Sequence, residues 1–288
     1  MSRSRDDKVL MFRFLAMIDS YETDNADAID ESIDLWPLMR ECAQEMLVHE
    51  PALAETLNSF VLHQGSFDLA MSARIAHKLA SSEKEYNAIA ALCLEAFTLD
   101  PSLACCCQND IRAILERDPA CESVLVPFLW YKGFIAISAH RAAHYFWQHS
   151  RKYIAYFIQS KVSEKLAVDI HPAARFGCGI LLDHATGFVA GETAVVENNV
   201  SILHAVTLGG TGKTRGDRHP KIRSGVLIGA GAKILGNVEV GRCAKIGAGS
   251  VVLDNVPPHT TVAGVPARVV GEAQEADPAH DMNHRLPC

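Results

Sequence analysis

The sequence predicts an α+β protein in which an all-helical N-terminal domain is followed by a C-terminal parallel β-helix of hexapeptide repeats. From Ile170 to Val256 an aliphatic or aromatic residue returns at every sixth position. Ile170, Phe176, Leu182, Phe188, Ala194, Val200 and Val206 fall on one lattice, and Ile222, Ile228, Ile234, Val240, Ile246 and Val252 on a second. Neither a helical period near 3.6 nor a strand period of 2 gives a strict six, so the repeat reports a larger unit recurring along a solenoid. Gly229, Gly231, Gly236, Asn237, Gly241, Gly247 and Gly249 lie between the hydrophobic positions, where tight corners need backbone at φ > 0. Before the lattice, from about Ser32 to Ser163, apolar residues recur three and four apart, the period of a helix with one buried face.

The helical half is punctuated at plausible ends. Pro51 and Pro101 each suit the first turn of a helix, Asp100 suits the N-cap position before Pro101, and Ser66 is placed to cap FDLAMSARIAHKLA. Asp118, before Pro119, reads by default as another N-cap. About eight helices are expected, the last near Arg151 to Val162. The organisation is a tail over residues 1–31, a helical domain over 32–163 suited to oligomerisation, a solenoid over 164–270 and a flexible tail over 271–288. Between Val206 and Ile222 the gap is sixteen residues instead of six, so one corner extrudes a ten-residue loop within 210–221. Such an excursion from a regular solenoid is where function tends to sit.

Composition narrows the class. A formal net charge of −7 over 288 residues argues against a general nucleic-acid binder. No apolar run approaches the roughly 20 residues that cross a bilayer, and the N-terminus matches neither a secretory signal nor a basic transit peptide, which predicts a cytoplasmic protein. The nine cysteines lack paired C-x-x-C spacings, so neither a disulfide scaffold nor a zinc site is indicated. Cys105, Cys106 and Cys107 read as small buried residues of a helix.

The residues able to carry chemistry cluster around the corners. His184 lies in LLDHATG, His204 in SILHAVT, and Arg218 with His219 in the extruded loop. With three hexapeptides per coil, residues eighteen apart stack, so Asp169 and His184, fifteen apart, fall close to contact. A carboxylate holding an imidazole is a general-base arrangement. His204 reads as structural, since it sits inside a regular hexapeptide. A guanidinium fork at Arg218 suits a carboxylate or a phosphate. From Lys213 to Lys245 eight basic residues face only Asp217 and Glu239, which implies an anionic ligand.

VDIHPAARFG, LLDHATGFVAGETAVVENNVSILHAVTLGGTG, GDRHPKIR, GVLIGAGAKILGNVEVG and PPHTTVAGVPARVVG together resemble the serine O-acetyltransferases of cysteine biosynthesis, and ERDPA and LWYKGFIAISAHRAAHYFW extend the likeness into the helical half. That resemblance implies a left-handed β-helix and direct transfer of acetyl from acetyl-CoA to the hydroxyl of L-serine, giving O-acetylserine and CoA. It implies His184 as general base with Asp169 orienting it. Asp118 and Asp183 would bind the serine amino group, and Arg218 and His219 its carboxylate. Gly210, Thr211, Ala230, Lys245 and Ala248 would line the CoA groove. No metal or permanently bound cofactor is implied, and acetyl-CoA is a co-substrate. Trimers through the solenoid, hexamers through the helical domain and inhibition by L-cysteine also follow from the resemblance. Members that dock into O-acetylserine sulfhydrylase end in isoleucine, whereas this chain ends Leu286, Pro287, Cys288, which does not support that partner.

Overall fold

The computed structural model describes residues 34–212 and 215–286; the tail expected over residues 1–31 lies outside them. α1 (Trp36–His49) leads through a 3-10 turn at Pro51–Leu53 into α2 (Ala54–Leu57), which runs on as a π turn at Asn58–Leu62. α3 (Phe67–Leu79), α4 (Glu83–Leu99), α5 (Ser102–Arg117), α6 (Leu125–Trp130), α7 (Lys132–Gln148) and α8 (Lys152–Leu166) follow. Side chains satisfy the orphan N–H groups at several starts. The Ser66 hydroxyl accepts from Leu69 N at 3.3 Å and the Ser82 hydroxyl from Glu85 N at 3.2 Å. Asp100 caps α5 from one residue further out than expected, accepting from Ser102 N at 3.2 Å. Asp118 caps no helix start. It closes α5, its Oδ1 accepts from Ala120 N at 2.9 Å, and the next helix begins only at Leu125.

The solenoid opens with β1 (Val168–Ile170), β2 (Arg175–Phe176), β3 (Leu181–Leu182), β4 (Phe188–Ala190), β5 (Val195–Val196), β6 (Ser201–Ile202) and β7 (Thr207–Gly209). It continues through β8 (Lys221–Ile222), β9 (Leu227–Ile228), β10 (Lys233–Leu235), β11 (Glu239–Val240), β12 (Lys245–Ile246), β13 (Val251–Val252), β14 (Thr260–Gly264) and β15 (Ala267–Glu272). Every third strand pairs in parallel, giving three sheets: β1-β4-β7-β10-β13, β2-β5-β8-β11 and β3-β6-β9-β12-β14, with β15 added antiparallel to β14. Ile202, Leu208, Ile228, Ile234 and Val240 point inward and are fully buried. Each contributes about 1.5–3 kcal/mol by leaving water.

The register corrects the first of the two lattices drawn from the sequence. Val189 pairs with Thr207, eighteen residues on, but Val168 pairs with Phe188 and Leu181 with Ser201, twenty residues on. The partner of Ile170 is Ala190, so Ala190 and not Phe188 occupies the position equivalent to Leu182 on the next face. Two extra residues therefore sit at the corner 183–187. The lattice hides them because positions two apart, such as Phe188 and Ala190 or Val200 and Ile202, are all buried and apolar. Ser201 pairs with Leu227, twenty-six residues on, so the extruded loop exceeds a regular coil by eight residues and not ten. The enlarged corner places His184 at φ 55° and Ala185 at φ 59°, left-handed conformations that cost a non-glycine residue about 1–3 kcal/mol each and cluster at functional sites.

The two domains are joined by polar side chains that cross a buried seam. Arg141 pairs with Asp110 at 2.9 Å, both buried, and each continues to the solenoid backbone: Arg141 Nη2 donates to Gly177 O at 2.6 Å, and Asp110 Oδ1 accepts from Ile180 N at 2.8 Å. Burial is the main cause that pushes the Asp110 carboxyl up to about 6, against the pull of Arg141. Arg117, also buried, donates to Gly179 O at 3.0 Å, to Ser201 Oγ at 3.2 Å and to Asn199 Oδ1 at 3.1 Å.

Two expectations fail. The C-terminal segment is not a free tail, because over its described residues it folds back: β15 runs to Glu272, and α9 (Pro278–Asp281) packs on α5. Ala279 is buried, and its carbonyl accepts from Ser201 Oγ at 2.7 Å. Cys106 is not an inert core residue, for it forms a disulfide with Cys178 at the corner after β2, with Cα atoms 4.6 Å apart. Spacing could not show this, since the two cysteines are 72 residues apart and meet only when the domains dock.

Gly133 marks how closely they dock. A Cβ there would stand 2.0 Å from the Leu182 carbonyl oxygen. Gly to Ala in a helix ordinarily stabilises by about 1 kcal/mol. Here Gly133→Ala is expected to destabilise by about 1–3 kcal/mol through overpacking, read as a lowered urea midpoint; an unchanged or raised midpoint would contradict this packing.

Candidate active site

Parallel register stacks the sequence candidates on one corner. Leu182 pairs with Ile202, Ile202 with Ile228 and Ile228 with Ile246. Two residues beyond each lie His184, His204, Ala230 and Ala248, which form one edge of the prism. The imidazoles of His184 and His204 meet edge to face, centroids 5.7 Å apart at 77°. His204 is thus beside the candidate base and not a buried member of its hexapeptide. His184 projects into solvent, its side chain 72% exposed, with Nε2 3.4 Å from Asp183 Oδ2.

The contact between Asp169 and His184 suggested by spacing is not made. Asp169 pairs in register with Val189, because the two inserted residues carry His184 out of the eighteen-residue stack. Its Oδ1 accepts instead from Gln159 Nε2 at 2.6 Å.

One acid reaches this junction from the helical domain. Tyr131 OH donates to Asp118 Oδ2 at 2.9 Å. Burial foremost, then the bond to Asp118, with Asp183 among the lesser charges, raise the Tyr131 phenol well above its ordinary range, so it stays a donor. Asp118 thus holds the phenol, while the Asp183 carboxylate lies against His184 on the solenoid corner. Lys132 ties this junction to the corner, donating to Thr186 Oγ1 at 2.5 Å and to Leu166 O at 3.2 Å.

Arg218 and His219 lie on a different edge of the prism, where the extruded loop folds back on the corner after β4. Arg218 Nη2 pairs with Glu192 Oε2 at 2.7 Å and its backbone N–H donates to Thr193 Oγ1 at 3.0 Å. Thr193 N donates to His219 Nδ1 at 3.2 Å, and the Thr193 hydroxyl lies 2.9 Å from the same nitrogen. Gly191 is required by this packing, since a Cβ there would stand 2.0 Å from His219 Nε2. Gly210 backs onto Arg218 O, and Thr211 packs on Gly236. Among the described residues no hydrogen bond or ion pair joins this edge to the edge of His184. The two flank the same β1-β4-β7-β10-β13 sheet.

Ala230, Lys245 and Ala248 line a cavity of about 120 Å³ with Leu203, Leu227, Ile246, Gly247 and His284. The folded-back C-terminal segment covers it. Lys245 is buried, donates to Arg285 O at 2.6 Å and lies 3.7 Å from Glu275. Of the residues expected to hold one cofactor, Gly210 and Thr211 are at the loop edge and the other three are here.

Tyr131, Glu192, Thr193 and Gln159 were missed by sequence reading. Glu192 and Thr193 stand inside the GETA stretch and could have been suspected from it. Tyr131 and Gln159 carry no local signal, since they reach the site only through domain docking.

Comparison with known proteins follows the same division. Residues 35–139 match the family model described as serine acetyltransferase, N-terminal, and residues 219–254 match bacterial transferase hexapeptide (six repeats). The serine acetyltransferase of Haemophilus influenzae is 50% identical over 252 residues, covering 88% of this chain and 94% of the relative. A solved serine acetyltransferase in complex with cysteine superposes with a TM-score of 0.85 at 50% identity, covering 88% of this chain and 98% of that one. That of Brucella abortus in complex with coenzyme A superposes at 0.81 and 51%, covering 84% and 97%.

Burial first, and the Arg218 charge second, lower the His219 imidazole below its ordinary value, while Glu192 opposes them. A folded pKa below the unfolded one means that folding disfavours the proton. This contribution to stability is intact above about pH 6.5 and is lost as pH falls through that value toward the folded one. The His219 ring resonance is therefore expected to titrate below pH 6.5, and Arg218→Gln to move the midpoint upward; a midpoint at or above 6.5 in the parent protein would contradict the burial.

Proposed function

This chain belongs to the serine acetyltransferase family of acyltransferases, and we propose that it transfers acetyl from acetyl-CoA to the hydroxyl of L-serine with His184 as general base. The observation that carries the reading is the solvent-facing His184 in left-handed backbone, with Asp183 3.4 Å from its Nε2 and on the same solenoid edge as Ala230 and Ala248 of the cavity lining.

In this mechanism His184 takes the hydroxyl proton as the serine oxygen attacks the thioester carbonyl. The tetrahedral oxyanion draws on backbone N–H donors at the corners. Collapse breaks the C–S bond, and the imidazolium returns its proton to the departing CoA thiolate. Asp118 and Asp183 hold the substrate ammonium. For Asp169 to orient the base, the exposed His184 ring turns from Asp183, and Asp169 exchanges Gln159 for it; that turn frees Asp183 for the substrate.

Arg218 and His219 bind the substrate carboxylate, displacing Glu192 from the guanidinium. Their position on a separate edge from His184 favours a site completed between neighbouring subunits, in a trimer or in a hexamer formed through the helical domains. Gly210 and Thr211 of one subunit and Ala230, Lys245 and Ala248 of the next would then flank one CoA. L-cysteine, with the same ammonium and carboxylate and a thiol in place of the hydroxyl, would occupy the serine site as an inhibitor. The similar structure complexed with cysteine supports this.

The decisive assay is release of CoA thiol from acetyl-CoA, which is expected only when L-serine is present; no serine-dependent release from assembled protein would overturn the assignment. His184→Ala is expected to lower kcat by roughly 10²–10⁴-fold with assembly unchanged, and near-parent turnover would remove it as base. Because residues 275–286 cover Lys245 and the groove, a chain truncated after Ala273 is expected to show a several-fold lower KM for acetyl-CoA. An unchanged KM would mean that the segment does not compete with CoA.

A further inference from the structure

Tyr131 occupies the N-cap position of α7 but makes no cap, its side chain leaving the helix start unsatisfied. Ser, Thr, Asp or Asn would serve that start better. The phenol instead turns toward Asp118, and its hydroxyl donates to Oδ2 at 2.9 Å, while Ala120 N donates to Oδ1 at 2.9 Å. Each carboxylate oxygen is thus held by one donor and retains a lone pair for a second. The next two residues fix the same junction from the other side: Lys132 grips Thr186 and the Leu166 carbonyl, and Gly133 allows α7 to touch the Leu182 carbonyl. Asp118 lies in a loop between α5 and α6. Without the phenol only the local turn would aim it.

We infer that Tyr131 is a positioning residue for amino-group recognition, orienting the Asp118 carboxylate toward the ammonium of the amino-acid substrate. The inference rests on the reading that Asp118 binds that ammonium. Hydrogen bonds to charged groups are among the stronger ones in proteins, so losing this one has a measurable effect. The ammonium would bind a carboxylate that is no longer preorganised, while the hydroxyl, the thioester and the base are untouched.

The test is steady-state kinetics of Tyr131→Phe, Asp118→Asn and the double variant, with 3-hydroxypropionate, which is serine without its amino group, as a competitive probe. Tyr131→Phe is expected to raise the serine KM about tenfold, leaving kcat and the acetyl-CoA KM within about twofold. It should leave the Ki of 3-hydroxypropionate unchanged and add nothing in the Asp118→Asn background. An unchanged serine KM in Tyr131→Phe, with a raised one in Asp118→Asn, overturns the role of Tyr131 while the reading of Asp118 stands. No change in Asp118→Asn overturns that reading and the inference with it. Weakening of serine and 3-hydroxypropionate alike, or full additivity in the double variant, assigns Tyr131 to packing and overturns the inference. Should Tyr131→Phe fail to assemble, the comparison is made with Tyr131→Met, which also removes the donor; a serine-selective rise in KM supports the inference, and an unselective or absent one overturns it.

Discussion

The buried Asp110–Arg141 pair is the interaction on which the arrangement of the two domains depends. Two charges taken out of water cost several kcal/mol each, and their mutual attraction offsets this only where geometry and further hydrogen bonds are good. Here each partner has a second bond, to Gly177 O or Ile180 N, and both of these belong to the solenoid corner after β2. The pair is therefore satisfied only when the helices sit in one position on the coil. Arg117, reaching Gly179, Asn199 and Ser201, repeats the constraint two turns later along α5. Removal of either charge would leave the other buried without its partner, which is far more destabilising than the net worth of the pair.

From that seam the position of the functional groups follows. The corner at 177–180 leads through β3 directly to Asp183 and His184, so a helical domain fixed at one end of this strand is fixed relative to the His184 edge at the other. Tyr131 and Asp118 reach the site from helix ends, Lys132 pins the corner through the Thr186 hydroxyl, and Gly133 sets the approach distance. The solenoid contributes the complementary property. Its hydrogen-bonded coils stack equivalent corners in line, which brings His184, His204, Ala230 and Ala248 onto one edge although they span more than sixty residues of sequence.

Regularity also explains why the departures matter. Two inserted residues enlarge the corner 183–187, where His184 and Ala185 are in left-handed backbone, and eight extra residues after β7 carry Arg218 and His219. Both excursions flank the same sheet, and the ladders on either side hold them against relaxation. The strain is tolerated because the surrounding coils over-determine the corner. A carboxylate-lined corner and a basic loop are thus set at fixed separation by the one sheet between them.

What the sequence determined by itself was whatever depends on local period and residue type. A six-residue repeat leaves the solenoid as the only regular answer, three-and-four spacing gives helices, and the gap after Val206 shows that a loop leaves the coil. Corner and loop position singled out His184, Arg218 and His219 in the same way, and the resemblance carried by LDHATG and DRHPKI added Asp183. Tertiary structure alone decided what depends on which distant groups meet. The two-residue slip at His184 was hidden because Phe188 and Ala190 are equally apolar, and only strand pairing distinguishes them. Asp169 therefore binds Gln159 and not His184, His204 stands against His184, Asp118 meets Tyr131, and Cys106 meets Cys178. The C-terminal segment, polar enough to read as a free tail, folds over Lys245 because Ala279 and the Arg285 carbonyl find partners only on a finished solenoid. Contacts of this kind have no sequence period, since they are set by the docking of one rigid unit on another.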